Sequence, residues 1–373
     1  MPIEIAFAGG GTGGHLYPGL AVANAVVQLR PDALVTFFTT NRPLDAEILG
    51  RTSFGRQPQS VQPFTLRPTR WLSFWRAWRE SVRAARRAFE QRRPAAVLGL
   101  GGYAAGPPVV AAHALGIRSA ILNPDAIPGR ANRFLAGRVD RVFAQWAASR
   151  GHFPARAGLV QVTGCPIRAE FSHADGAASR ARFGLDPRRP MLLVTGASQG
   201  ARTINEAMYE VWPRFAALHA EWQLVHLTGA ADEATAREAY ARSGPGVKVL
   251  AFTHEMAGLL AAADMVVSRA GASTLAELAA LGKPSILLPY PYHKDDHQTA
   301  NARVLLEAGA ALLVRDMRDT QRTSPALFDA LHQLADADRR AAFARAAHGL
   351  GLPHAARDVA EWLLGAAVPA ARG

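Results

Sequence analysis

Glu4-Ile5-Ala6-Phe7-Ala8-Gly9-Gly10-Gly11-Thr12-Gly13-Gly14-His15 runs an apolar strand into a glycine cluster and ends on a histidine. An Ala/Val/Leu-rich stretch, Leu20–Leu29, follows with helical spacing. Strand, glycine turn and helix in this order are the opening of a parallel αβ unit. The same rhythm returns downstream. Short apolar strands are expected at Leu34–Phe38, Ala95–Leu100, Ser119–Leu122 and Val142–Ala144, with apolar helical stretches between them. It breaks at Arg168–Arg189, which is polar and built of small residues, and resumes at Met191–Thr195. Further strands are expected at Gln223–Thr228, Val247–Phe252, Met265–Ser268 and Ser285–Pro289, and a last helix at Ala355–Ala367. The fold class is therefore α/β, as two doubly wound halves joined near residue 170. Short-period repeats and low-complexity tracts are absent from the sequence.

Composition narrows the class. The chain has 373 residues, 49% hydrophobic and 19% charged, enough for two cored domains and far from a disordered composition. One cysteine, Cys165, excludes an internal disulfide framework and a cysteine-rich zinc site. No run of 18 apolar residues occurs, and the first residues look like a strand, not a signal peptide, so the cytoplasm is the expected compartment. The net charge is +12, and of the 42 basic residues only Lys248, Lys283 and Lys294 are lysines. Arginine in place of lysine fits a biased codon table as well as an anionic partner, so its distribution has to decide.

Parallel sheets bind ligands beyond the carboxyl ends of their strands. Glycines stand at such ends in Gly9–Gly14, Gly99–Pro107 and Gly196–Ala201, and a fourth turn runs Ser268-Arg269-Ala270-Gly271-Ala272-Ser273-Thr274 into Glu277. The first cluster lacks the Lys-Ser/Thr of a phosphate loop, and the acidic residue that would hold a dinucleotide ribose is not where it belongs. His15, straight after glycines at a helix start, is placed for a cleft and can take a proton near neutrality. The hydroxyls and free N–H groups of Ser273 and Thr274 suit a diphosphate. Glu277 can accept two sugar hydroxyls or merely cap its helix. Tyr292-His293-Lys294-Asp295-Asp296-His297-Gln298 offers sugar-hydroxyl partners or a divalent-metal pair, and no third carboxylate lies near to favour the metal.

The motifs Ala8–Gly19, Gly101–Pro107, Gly196–Asn205, Arg269–Glu277 and Asp295–Asn301, in this order, resemble the MurG family, over about residues 5 to 362. That resemblance implies the GT-B glycosyltransferase fold, two Rossmann-like doubly wound domains facing a cleft. Residues 1–166 would form the acceptor-side and membrane-facing domain and 167–353 the UDP-sugar domain, with a terminal helix near 354–369 packing back on the first. It implies inverting transfer of N-acetylglucosamine from UDP-GlcNAc to lipid I, giving lipid II, without cofactor or metal. Thr12, Gly13 and Gly14 would border phosphates, and His15 would be a base. Arg168, Ser198 and Gln199 would reach the donor. Thr253 would hold uracil, Ala272, Ser273 and Thr274 the phosphates, Glu277 the ribose and Gln298 the donor sugar.

One segment departs from the family pattern of His-Glu-Gln-Asn: here it is Leu122-Asn123-Pro124-Asp125. Ala105 also replaces a usual serine. Asp125 is therefore a second candidate for acid/base work or sugar binding. A different acceptor, or a binding homologue with impaired catalysis, are the competing readings.

Arg67–Arg93 carries nine arginines against Glu80 and Glu90, with Trp71, Phe74, Trp75 and Trp78 at helical spacing. Aromatics flanked by bases such as Arg70 and Arg79 suit an anionic membrane surface, and no nucleic-acid motif accompanies them. Peripheral attachment to the inner face of the cell membrane is expected, with cell-wall synthesis proteins admitted as further partners.

Overall fold

The computed structural model describes residues 2–63, 67–196, 200–241, 243, 246–292 and 296–365. Residues up to Arg168, joined by those from Leu352 on, form one compact unit, and Ala169–Gly351 form the other.

The first unit is built on a seven-stranded, wholly parallel sheet. Its strands are β1 (Glu4–Gly9), β2 (Leu34–Thr39), β3 (Gly55–Pro58), β4 (Ala96–Gly101), β5 (Arg118–Asn123), β6 (Arg141–Ala144) and β7 (Val160–Val162). They lie in the order β3-β2-β1-β4-β5-β6-β7. The order reverses between β1 and β4, and both strands end in glycines there. Phe7 stacks on Phe37 with centroids 4.8 Å apart in the core beneath. Its first five α-helices are α1 (Gly13–Leu29), α2 (Pro43–Gly50), α3 (Trp71–Gln91), α4 (Gly106–Ala114) and α5 (Arg130–Leu135). A terminal helix, Ala355–Leu363, joins this core through Val359, Ala360, Trp362 and Leu363, with Trp362 edge-on to Phe143 at 5.5 Å.

The second unit repeats the plan with six parallel strands: β8 (Met191–Thr195), β9 (Gln223–Leu227), β10 (Val247–Leu250), β11 (Met265–Ser268), β12 (Ser285–Leu287) and β13 (Ala311–Leu313). The order β10-β9-β8-β11-β12-β13 reverses between β8 and β11. Trp212, Phe215 and Trp222 fill the core on one face.

Several expected bounds shift. The first helix begins at Gly13, not Leu20, and runs through Pro18, because the glycines already adopt helical turns. β10 and β12 stop at Leu250 and Leu287, two residues short of the apolar runs. β3, β7 and β13 are edge or near-edge strands of three or four residues, too short for an alternation to show. The terminal helix ends at Leu363, and residues beyond 365 lie outside the described ones.

Candidate functional site

Many of the candidate site residues lie at or beside the two reversals of strand order. In the first unit the turn after β1 is held from below. Asp45, in the first turn of α2, is fully buried. Its carboxylate accepts the Gly11 N–H at 2.8 and 3.0 Å, the Thr40 N–H at 3.0 Å and the Thr40 hydroxyl at 2.6 Å. Arg42 closes the other side, donating to the Gly11 carbonyl at 3.0 Å. Gly11 has φ +85°, which a side chain disfavours. A Cβ on Gly10 would lie 2.3 Å from the Asp45 Oδ2, so only glycine fits there.

His15 stands on the first turn of α1, half-buried. Its Nδ1 lies 3.2 Å from the Gly10 carbonyl and 3.2 Å from the Thr12 hydroxyl. A carbonyl only accepts, so the Gly10 contact is a hydrogen bond in the tautomer with the proton on Nδ1, and that tautomer leaves the Nε2 lone pair of the neutral ring open. The ring lies on the turn after β4. Cβ atoms on Gly101 and Gly102 would come within 3.3 and 3.0 Å of it, and these residues have φ +97° and +69°. Two glycine turns from neighbouring strands thus clasp one imidazole. Within the first turn the Gly11 N–H is committed to Asp45. Gly13 and Gly14, at the open start of α1, keep theirs.

Asn123, at the end of β5, is buried and donates to the Asp125 carbonyl at 2.9 Å. Asn132 of α5 donates to the Leu122 carbonyl at 2.8 Å and the Asn123 Oδ1 at 3.2 Å. The altered segment is therefore a neutral amide pair that fixes the turn, with Asp125 half-buried at its tip. Arg168 places its guanidinium 5.6 Å from the Tyr17 ring on α1.

In the second unit, β11 leads through Arg269 and Gly271 into a helix, Ala272–Ala280. Ala272, Ser273 and Thr274 form its open first turn, half-buried, with Glu277 one turn on. The Gln298 Oε1 accepts the Ala270 N–H at 3.2 Å and the Tyr290 N–H at 2.9 Å, which pins the ends of β11 and β12 together. Beneath them Arg269 donates to the Asp316 carboxylate at 2.8 Å, to the Leu288 carbonyl at 3.0 Å and to the Thr203 hydroxyl at 2.8 Å. Thr203 in turn donates to Asp316 at 2.5 Å. Burial pushes the Asp316 carboxyl up, but hydrogen bonds from Thr203, the Arg318 N–H and Arg269 outweigh it and hold it below its ordinary value. A second buried network ties β9 to the helix that follows β8, Arg202–Leu218. His226, held neutral by burial with a pKa near 3, lies between the Tyr240 hydroxyl and the Asn205 amide oxygen, each at 3.0 Å. Thr253 accepts the Glu255 N–H at 3.0 Å, and Phe252 beside it is exposed.

With that geometry in view, the comparisons divide along the same line. The glycosyltransferase family 28 N-terminal domain matches residues 5–144 and its C-terminal domain matches 191–359. A UDP-N-acetylglucosamine--N-acetylmuramyl-(pentapeptide) pyrophosphoryl-undecaprenol N-acetylglucosamine transferase of Desulforudis audaxviator is 39% identical over 361 residues, 95% of each chain. Its counterpart from Syntrophus aciditrophicus is 37% identical over 84% of this chain and 85% of its own. The crystal structure of Acinetobacter baumannii MurG aligns with TM-score 0.78 at 26% identity, over 98% of this chain and 100% of the other.

The chain belongs to the MurG family. Its fold is GT-B, two Rossmann-like α/β units. A Neisseria meningitidis UDP-GlcNAc 2-epimerase, at TM-score 0.70 and 14% identity, shares the fold alone.

Measured against the residues expected for a MurG-family enzyme, Thr12, Gly13, Gly14 and His15 lie together in the first unit. Ala272, Ser273, Thr274, Glu277 and Gln298 belong to the β11–β12 end of the second. Ser198 and Gln199 lie outside the described residues, as do His293 to Asp295. On α3, Trp71, Leu72 and Trp75 are exposed, at 45, 76 and 51%. Phe74 and Trp78 are half-buried: they stack on each other at 6.1 Å, Phe74 lies edge-on to Trp75 at 5.3 Å, and Trp78 packs over Gly106 and against Phe134. Arg70 and Arg79 are exposed. Sequence reasoning missed Asp45, Leu72, Phe134, Phe252 and the Arg269–Asp316 pair. Phe134, 49% exposed and covered by the Arg138 guanidinium at 4.2 Å, extends the aromatic surface. Among the described residues no helix is long and apolar enough to cross a membrane, and no group of three His, Cys, Asp or Glu could hold a metal ion.

Proposed function

We propose that this protein transfers N-acetylglucosamine from UDP-GlcNAc to the muramyl sugar of lipid I, forming lipid II. The observation that carries the reading is the 39% identity to a transferase of that name across 95% of both chains. In the proposed step the acceptor hydroxyl gives its proton to the His15 Nε2, its oxygen bonds to the anomeric carbon of the donor, and UDP leaves with the electron pair. The Nδ1–H bond to Gly10 supports this by keeping Nε2 free to accept. The leaving diphosphate is held by the first turn at Ala272, Ser273 and Thr274, whose dipoles point at the developing charge. Glu277 takes the ribose hydroxyls, Gln298 the donor sugar, and Thr253 the uracil with Phe252 as its neighbour. Arg168 adds charge near the diphosphate, and Asp125 binds sugar hydroxyls. Asn123 takes no part in proton transfer, because its amide is spent on the turn.

The test is lipid II formation by the purified protein from UDP-GlcNAc and a lipid I analogue, with UDP release followed in parallel. Product in step with UDP is the expected result. Donor binding without product on this acceptor would transfer the reading to another acceptor.

The acceptor is lipid-borne, so the enzyme must meet a bilayer. We place that contact on the open face of α3, where Trp71, Leu72 and Trp75 would enter the interface among Arg70, Arg76 and Arg79. Each base near an anionic surface contributes about 1 kcal/mol. Half-exposed tryptophans add roughly as much each on burial. Replacing Trp71 and Trp75 together by serine lowers partition onto anionic vesicles about tenfold or more, with little change in melting temperature. A large loss of melting temperature in that variant would make these rings core residues instead.

A further inference from the structure

The hydrogen bonds beneath His15 form one line. The Nδ1 of His15 lies 3.2 Å from the carbonyl oxygen of Gly10, to which it donates in the Nδ1–H tautomer. The same peptide unit continues into the N–H of Gly11, which donates to Asp45 at 2.8 Å. A histidine and a fully buried carboxylate are therefore joined through a single peptide group, the carbonyl facing the ring and the N–H facing the acid. We propose that Asp45 is a positioning residue for His15, acting through the Gly10–Gly11 peptide. The proposal rests on the reading of His15 as the base.

Three properties of the arrangement argue for it. First, every hydrogen bond of the Asp45 carboxylate is accepted: the Gly11 N–H, the Thr40 N–H and the Thr40 hydroxyl all donate to it. Such a set is served by the ionised, acceptor-only form, and the start of α2 favours a negative charge. Second, a carboxylate on the N–H side of a peptide polarises it and makes the carbonyl on the other side a better acceptor. The bond from the Nδ1–H is strengthened, most of all when the ring gains a second proton and becomes imidazolium. In the transfer step that proton comes from the acceptor hydroxyl and rests on Nε2, so the stabilisation grows as the reaction proceeds, which is the condition for lowering a barrier. Third, the packing reserves this path. Gly10 has no room for a Cβ against the Asp45 Oδ2, and Gly101 and Gly102 have little room for one against the ring.

The buried charge also sets what the turn can hold. A diphosphate approaching the Gly11 side meets a carboxylate that already owns the N–H. A neutral sugar hydroxyl and a transient imidazolium do not suffer that repulsion. The turn after β1 is thus assigned to the proton, and anion binding is left to the open helix starts.

The experiment is a double-mutant cycle with a tautomer measurement. Asp45→Asn keeps the volume and an acceptor but removes the charge. It is expected to lower kcat about tenfold with the KM for UDP-GlcNAc unchanged, and to cause no further loss of the residual rate when His15→Ala is already present. Losses that multiply in the double variant, or a rise in KM without a fall in kcat, overturn the proposal. Nitrogen-15 NMR of the wild-type ring is read alongside and depends on no variant folding. The Nδ1–H form of neutral His15 is expected, and a dominant Nε2–H form overturns the proposal. A His15→Ala variant with wild-type kcat overturns the base reading instead, and the tautomer then still decides whether the hydrogen-bonded line exists.

Discussion

His15→Ala lowers kcat by about three orders of magnitude and leaves the KM for UDP-GlcNAc within about twofold. Positioned general bases contribute roughly 10² to 10⁴ in rate, and the hydrogen bonds of the ring, to the Gly10 carbonyl and the Thr12 hydroxyl, lie on its own glycine turn. Donor binding therefore has no reason to change. The structural cost is small as well, because the imidazole is only half-buried and the Thr12 hydroxyl beside it is exposed. Initial rates at varied UDP-GlcNAc and saturating acceptor make the measurement. An equal fall in kcat and in donor affinity would assign His15 to holding the loop. A kcat within tenfold of wild type would pass the base role to another group, with Asp125 the first to examine.

The two αβ halves were legible because parallel strands buried on both faces are continuous apolar runs, and their glycine turns stand out at the ends. His15 was legible for the same reason: it follows the turn directly. Asp45 was not. In the sequence it is an acid near the start of a helix, Pro43–Gly50, where capping explains it fully. Its role depends on β1 and β2 being neighbours, which brings Thr40 and Gly11 onto one carboxylate across 34 residues of chain. Asp316 was hidden in the same way, lying 47 residues from Arg269 and just past a three-residue strand. The aromatic face of α3 was found as a cluster, but spacing alone could not say that Trp78 turns onto Gly106 while Trp71 and Trp75 stay in solvent.

The two units apply opposite charge logic to the same topology. At the reversal between β1 and β4, a carboxylate supplied by the chain itself occupies the turn and leaves a neutral place suited to a proton acceptor. At the reversal between β8 and β11, the buried acid is Asp316. It is neutralised by Arg269 below the turn, so the helix start at Ala272 stays open and electropositive. A reaction that moves a proton at one partner and releases a diphosphate from the other needs both environments.

That argument makes Asp316 the residue whose loss should cost most. The side chain of Asp316 is wholly buried and that of Arg269 is 10% exposed. Asp316→Ala leaves the guanidinium without its counter-charge and frees the Thr203 hydroxyl and the Arg318 N–H that Asp316 now accepts. Removing one partner of a buried pair costs about 3–5 kcal/mol. For a unit of this size the second unit's melting temperature should fall by about 10 °C. Function should fail before folding does. Arg269 also holds the Leu288 and Pro289 carbonyls, and Gln298 bridges the same strand ends through the Ala270 and Tyr290 N–H groups. Loosening Arg269 lets the β11 and β12 ends drift apart, so the KM for UDP-GlcNAc should rise at least tenfold at a temperature where the variant is still folded. Asp316→Asn separates charge from shape, since its carbonyl can still accept from Thr203 or Arg269. It should lose less melting temperature than alanine and keep part of the donor affinity. Calorimetry with and without UDP, beside the donor KM, reads both effects. A variant that melts early yet binds UDP with wild-type affinity would show that the pair stabilises the sheet without shaping the donor site.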